Sequence, residues 1–266
     1  MAGCDTLVKA SIDKNPVSRG QDDRRVSKAR RKPHGEKTAE RVALSLIHDI
    51  VSEDLREGDR LPLEAAMINR YQVSRASLRE ALRLLEVQGL VDLKPGPGGG
   101  PAVGRADANY LGRTMALFFR MSACTYSQLL RAHMQLEIMC AELAAEHPDR
   151  AERMKPFLDP SPPDSEAEYR RSTIDFHVVV HELTDNPILV FLVEALSQIY
   201  YRHVIATMDP VAIRPTLLEE HRELAQAIIA GDVQEAKRQM TEHFHTQHEF
   251  YRTHWPARMN ELIEWR

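Results

Sequence analysis

The sequence predicts a mainly α protein: an N-terminal winged helix-turn-helix followed by an all-helical bundle of six or seven helices. Three observations carry this prediction. Tyr71–Val91, YQVSRASLREALRLLEVQGLV, reads as a short turn and then a helix whose apolar residues recur three and four apart. Two short apolar stretches then flank a run of glycines at 96, 98, 99 and 100. Residues 107–266 keep helical periodicity between proline-rich breaks, with no alternating strand pattern.

Composition agrees with helices and narrows the class. Aromatics are 6% of the 266 residues, hydrophobic residues 43% and charged residues 28%. The formal net charge is −4, so nucleic-acid binding would need positive charge gathered in one region. Cys4, Cys124 and Cys140 are far apart and form neither a CxxC pair nor a disulfide framework, which fits a reducing compartment. No signal-peptide core is present, and no run approaches the ~18 apolar residues of a membrane span. A cytoplasmic protein with no membrane partner is expected.

Residues 1–36 are polar and mixed in charge, with a basic cluster from Arg24 to Lys32. They read as a disordered arm that is either a solvated tail or a source of non-specific phosphate contacts. The DNA-binding domain is expected over 37–106. A first helix runs from Thr38 with Ala43, Leu46, Ile47, Ile50 and Val51 on one face, and Gly58 follows it. Pro62 and Glu64 start a second helix. The third is the opening stretch, with Leu78, Leu82, Leu85 and Val87 as its buried stripe and Gly89 as its stop. Its other side carries Ser74, Arg75, Ser77, Arg79 and Arg83. That face suits either a solvated basic surface or a recognition helix lying in a major groove. Val91–Leu93 and Ala102–Val103 then form a hairpin that brings Lys94 and the bare backbone around Gly99 toward DNA. A phosphate-binding loop is the rival reading of the glycines, but the Lys-Ser/Thr of that motif is missing.

The run RLPLEAAMINRYQVSRASLREALRLLEVQGLV resembles the DNA-binding domain of the GntR family of bacterial transcription regulators. Leu61, Pro62, Glu64, Val73, Ser74, Arg75, Arg79, Glu80, Ala81, Leu82, Gly89 and Leu90 carry the resemblance. Leu63 stands where the family usually has Ser, and Ala65 where it often has a DNA-contacting Arg. Arg70 is the candidate substitute. The resemblance implies Arg75 and Arg79 as major-groove readers, since arginine can bond guanine O6 and N7 together. It places Ser74 and Ser77 on phosphates of double-stranded operator DNA.

Within 107–266, three segments place a histidine on an apolar stripe. Thr173, His177 and Val180 share one face, with Phe176 beside them. Leu217, His221, Leu224 and Ile228 share another, and Ala236, Met240 and His243 a third. Asp232, three residues before Glu235, fits a capping box. A lone inward histidine is usually a hydrogen-bonded core residue. Three on separate helices also suit a divalent metal. His245, His248 and His254 trail off the last stripe and read as surface residues.

This half resembles the FCD ligand-binding domain of the FadR-type branch of the GntR family. The marks are Leu136-Glu137 with Leu143-Ala144-Ala145, Phe176-His177 with Asn186-Pro187, Glu220-His221 with Gly231-Asp232, then Met240 and His243. The resemblance implies a divalent metal such as zinc on His177, His221 and His243. Thr173 occupies the position of the family's fourth ligand, an Asp; Asp175 would point elsewhere. His181 could add a nitrogen. The family often has an Arg four residues before Glu137, where this chain has His133, with Arg131 nearby. The implied effector contacts are Arg131, His133, Thr173, His177, His221 and His243.

The expected function is a homodimeric, ligand-responsive regulator and repressor whose helical domain binds a small organic acid. A regulator taking the metal itself as signal is the alternative. A metal-dependent hydrolase would need a positioned carboxylate base, and none is evident, so no enzymatic activity is expected.

Overall fold

The computed structural model describes residues 34–96, 99–105, 108–159, 165–206 and 208–264. The basic arm, as far as residue 33, and the Pro160–Pro163 break lie outside the described residues. The chain divides into two compact units between Tyr110 and Leu111.

The first unit holds α1 (His34–Ser52), α2 (Glu64–Tyr71), α3 (Arg75–Val87), β1 (Val91–Lys94) and β2 (Gly100–Val103). Its core forms where Ala39, Val42, Ala43, Leu46 and Ile50 of α1 meet Leu78, Ala81, Leu82 and Leu85 of α3. The predicted stripes were each one residue too wide. Val51 is 74% exposed and Val87 69% exposed, because each stands about 100° or more around the helix from the buried row. On α2 only Met67 is buried.

The turns follow from local chemistry. Gln72 takes a left-handed conformation, φ 52°, to close α2. The Ser74 hydroxyl then accepts from Ser77 N at 3.1 Å and caps α3. Gly89 has φ +71°, and a Cβ there would sit 2.1 Å from the Tyr110 ring, so conformation and space both demand glycine. β1 and β2 pair antiparallel with Val91 opposite Val103 and Lys94 opposite Gly100. A third segment joins them, which the sequence did not suggest. Gly58 N donates to Val103 O at 2.9 Å, Val103 N to Asp59 O at 2.8 Å and Leu61 N to Pro101 O at 3.0 Å. The loop before α2 thereby binds the free side of β2.

The second unit is helical. It comprises α4 (Ala108–Met121, whose first turn precedes the division), α5 (Tyr126–Glu146), α6 (Arg150–Met154), α7 (Glu166–Glu182), α8 (Pro187–Tyr200), α9 (Arg214–Ala230), α10 (Val233–His254) and α11 (Pro256–Met259). Six of these have 14 residues or more, in line with the predicted bundle. α5 packs against α7, α8, α9 and α10 and is the centre of the bundle. A capping box starts it: Gln128 N donates to Thr125 Oγ1, and Thr125 N to Gln128 Oε1 at 2.9 Å. Asp232 caps α10 through Glu235 N at 3.0 Å, but the Glu235 carboxylate is taken by Arg238 and Gln239, so that box is only half formed. Pro187 and Pro215 lie in the first turns of α8 and α9, where a missing N–H costs nothing. After Tyr200 the chain widens into a π-turn, Tyr201–Ile205.

Candidate DNA-binding face and candidate metal centre

Arg75, Arg79 and Arg83 lie four residues apart along the exposed side of α3. Arg75 opens the helix beside the cap, the end that a recognition helix presents to bases. Arg79 Nε lies 3.4 Å from Glu64 Oε1, an exposed pair of little energetic weight. Ser74 and Ser77 hold each other, Oγ to Oγ at 3.0 Å, so both hydroxyls already serve the turn. Arg70 sits apart from this face in its bonding: its guanidinium pairs with Asp49 at 3.0 Å and Glu53 at 2.9 Å on α1. Lys94 is exposed on β1. Gly99 is required by packing, since a Cβ there would lie 2.2 Å from Lys94 O.

In the second unit, His177, His221 and His243 converge from α7, α9 and α10. Their ring centroids are 5.2, 5.6 and 4.6 Å apart pairwise, and one nitrogen from each lies within 4.8 Å of the other two. All three are buried. His221 stacks on Phe176 at 4.2 Å. Burial, and then the neighbouring imidazoles of His243 and His177, push its pKa well down, so it is a neutral ring. Burial also lowers His243, against the pull of Glu220. Carboxylates orient two of the rings. Glu220 Oε2 accepts from His243 Nδ1 at 3.0 Å, and Glu137 Oε2 from His177 Nδ1 at 3.0 Å. An ionised carboxylate can only accept, so these bonds leave each Nε2 as a lone pair. The Nε2 atoms of His221 and His243 are buried with no hydrogen-bond partner among the described residues. Converging neutral imidazole nitrogens, two of them orphaned and two of the rings backed by a carboxylate, form a donor set that suits a divalent transition metal.

Glu137 is the centre of a second polar cluster. Its carboxylate is 1% exposed and lies 3.1 Å from His133 Nε2 and 3.1 Å from His181 Nε2. Burial alone would raise its pKa. The imidazoles of His181 and His177, with hydrogen bonds from His133 and His177, outweigh burial and hold it well below the usual range. Ser197 gives its proton to Val193 O and accepts from His133 Nε2 at 2.9 Å, which leaves His133 Nδ1 buried and without a partner among the described residues.

His133, Glu137, Thr173 and His177 line a cavity of about 100 Å³, with Arg170 and Asp209 also on its wall. His221 and His243 lie behind His177, off the cavity wall. Arg131 does not join them. It is exposed and lines a different cavity with Ser127, His245 and Arg252, being two residues and about 200° around α5 from His133. Asp175 is exposed. His245 and His254 are on the surface, while His248 is half-buried: its Nε2 is enclosed and burial lowers its pKa to about 4. Sequence reasoning used Glu137 and Glu220 only as motif letters and passed over Arg170. A signal for Glu137 was present: it follows His133 by four residues within the buried row Leu129, Leu130, Ile138, Ala141.

A winged helix-turn-helix unit joined in one chain to a helical unit with a buried polar centre defines a DNA-binding transcription regulator. Residues 38–99 match the bacterial regulatory proteins of the gntR family, and residues 128–246 match the FCD domain. The chain belongs to the GntR family and couples that family's DNA-binding domain to an FCD domain. It is similar to the uncharacterized HTH-type transcriptional regulator YcbG of Bacillus subtilis (strain 168), 25% identical over 84% of this chain and 92% of that one. It is similar to the HTH-type transcriptional regulator LutR of the same organism, 28% identical over 73% and 92%. The Uxu operon regulator of Haemophilus influenzae is 29% identical over 78% and 79%. Among solved structures, Streptococcus agalactiae GntR shares the fold, with TM-score 0.56 and 19% identity over 79% of this chain and 99% of that one. No helix among the described residues is long and apolar enough to cross a membrane.

Proposed function

We propose that this protein is a homodimeric repressor whose helical unit binds a divalent metal and a small organic acid. The observation that carries the reading is the convergence of three buried imidazoles, two with orphaned Nε2 atoms, beside a cavity whose wall carries a few polar groups. His177, His221 and His243 would hold the metal, and zinc suits neutral nitrogen donors. Bound there, the metal would attract an anionic oxygen of the effector as a Lewis acid. Glu137 and Glu220 keep the rings turned inward. Thr173 contributes a hydroxyl to the cavity wall.

Arg75 and Arg79 would read operator bases, with Ser74, Ser77, Lys94 and the backbone at Gly99 near phosphates. Leu117, Phe118 and Met121 expose apolar side chains on α4, which supports a second copy covering that face. Two copies would place two recognition helices on half-sites about one helical turn apart. An effector preference of ~1–3 kcal/mol for one arrangement of the dimer changes operator affinity about 5- to 150-fold.

Elemental analysis joined to gel shift tests the reading. The purified protein is expected to carry one metal per chain and to bind its upstream intergenic DNA in a salt-dependent, sequence-selective way. His221→Ala is expected to lose the metal. Stoichiometric metal in that variant would end the metal assignment, and DNA binding without sequence selectivity would end the regulatory one.

A further inference from the structure

Besides the imidazoles, the cavity wall carries a guanidinium, Arg170, with its partner Asp209. Arg170, Thr173 and His177 stand at i, i+3 and i+7 on α7 and line its wall together. Arg170 is bound on one side only. Its terminal nitrogen pairs with Asp209 at 3.0 Å and with the more exposed Glu166 at 2.7 Å, while its Nε is buried with no partner among the described residues. Asp209 is shared: Arg214 Nε also donates to it at 3.2 Å, and Arg214 lies 4.6 Å over the Tyr169 ring. One buried-side carboxylate thus serves two guanidiniums. Thr173 adds a buried hydroxyl, close to the Tyr169 hydroxyl. A buried guanidinium N–H without an acceptor is costly to leave so, and the acceptor it lacks is an anionic oxygen.

Resting on the reading of this cavity as the effector site, we infer that Arg170 is the second anchor of a short dicarboxylate. One carboxylate lies toward His177. The other takes Arg170 Nε and Thr173, in competition with Asp209. A cavity of about 150 Å³ holds benzene, so the volume of about 100 Å³ here keeps the chain between the carboxylates to a few carbons.

Calorimetric titration of the purified full-length protein with malonate, succinate and glutarate, each against the monocarboxylate of equal carbon number, tests the inference. At least one dicarboxylate is expected to bind tenfold or more tightly than its monocarboxylate partner. Arg170→Gln should erase that margin, the dicarboxylate losing more affinity than its monocarboxylate partner. Asp209→Asn removes the competitor and should tighten dicarboxylate binding, which keeps the inference open to refutation if Arg170→Gln does not fold. A wild-type protein without preference for dicarboxylates, a preference that survives Arg170→Gln, or no tightening in Asp209→Asn overturns it. Binding of monocarboxylates alone overturns this inference but leaves the organic-acid reading standing. Failure of every acid to bind overturns both, with metal content and gel shift still deciding the metal and DNA assignments.

Discussion

The carboxylate of Glu220 holds His243 by its Nδ1 at 3.0 Å and is itself fixed by Thr246 Oγ1 at 2.6 Å. The ring's free nitrogen therefore has one direction to point. Removing such a partner typically weakens metal binding 10- to 100-fold. Glu220→Gln is expected to do so here, measured by competition against a chromophoric chelator, with His243→Ala losing binding entirely. Unchanged affinity in Glu220→Gln would mean that His243 is not a ligand.

Arg75 and Arg70 should behave differently on DNA. Arg75→Ala is expected to cost about 1–3 kcal/mol of operator binding and to relax selectivity at one position. Arg70 is engaged with Asp49 and Glu53, so Arg70→Ala should leave operator affinity near wild type. Its effect should fall on thermal stability and be small, as for an exposed ion pair. Gel shift and melting curves on the same two variants separate the cases.

Ser74 is expected to matter as a cap before it matters as a phosphate contact. Ser74→Ala should destabilise the winged unit by about 1 kcal/mol. Ser74→Asp should restore the stability, since an anionic cap suits a helix N-terminus. It should weaken DNA binding further, because its charge faces phosphate. If Ser74→Asp binds operator as wild type does, the serine stands away from the DNA backbone.

His248 gives the helical unit an acid-sensitive element. Burial lowers its pKa to about 4, against about 6.5 in the unfolded chain. Between these values the unfolded chain binds the extra proton, so stability present above pH 6.5 is lost as pH falls toward 4. A plot of melting temperature against pH should therefore be shallower on its acid side for His248→Leu than for wild type. Parallel curves would show that the ring charges without penalty in the folded protein.

The parts of this protein set by local rules were legible in the sequence. α3 could be read from its spacing, Ser74 from its position before the helix, and Gly89 from its place after it. The inward histidines were readable because each lay on an apolar stripe of its own helix. What could not be read were the partners brought in from elsewhere. Glu137 reaches His177 across 40 residues of chain, and Arg170 reaches Asp209 across 39. Arg70 had the composition of a DNA contact, and only the approach of α1 shows that its charge is already used. Val51 and Val87 were misplaced for a smaller reason: one residue around a helix turns a buried position into an exposed one.

The pairing of Gly58–Leu61 with β2 bears on how the molecule behaves beside other copies in a crowded solution. A bare hairpin offers two open strand edges, each able to recruit a strand from another chain. Here β2 is bonded on both sides; of the two outer edges, one is the short irregular segment Gly58–Leu61 and the other is β1, four residues long with charged Asp92 and Lys94 exposed on it. Such an edge is a poor template for misassembly, so the wing can remain available to DNA without inviting the chain to polymerise.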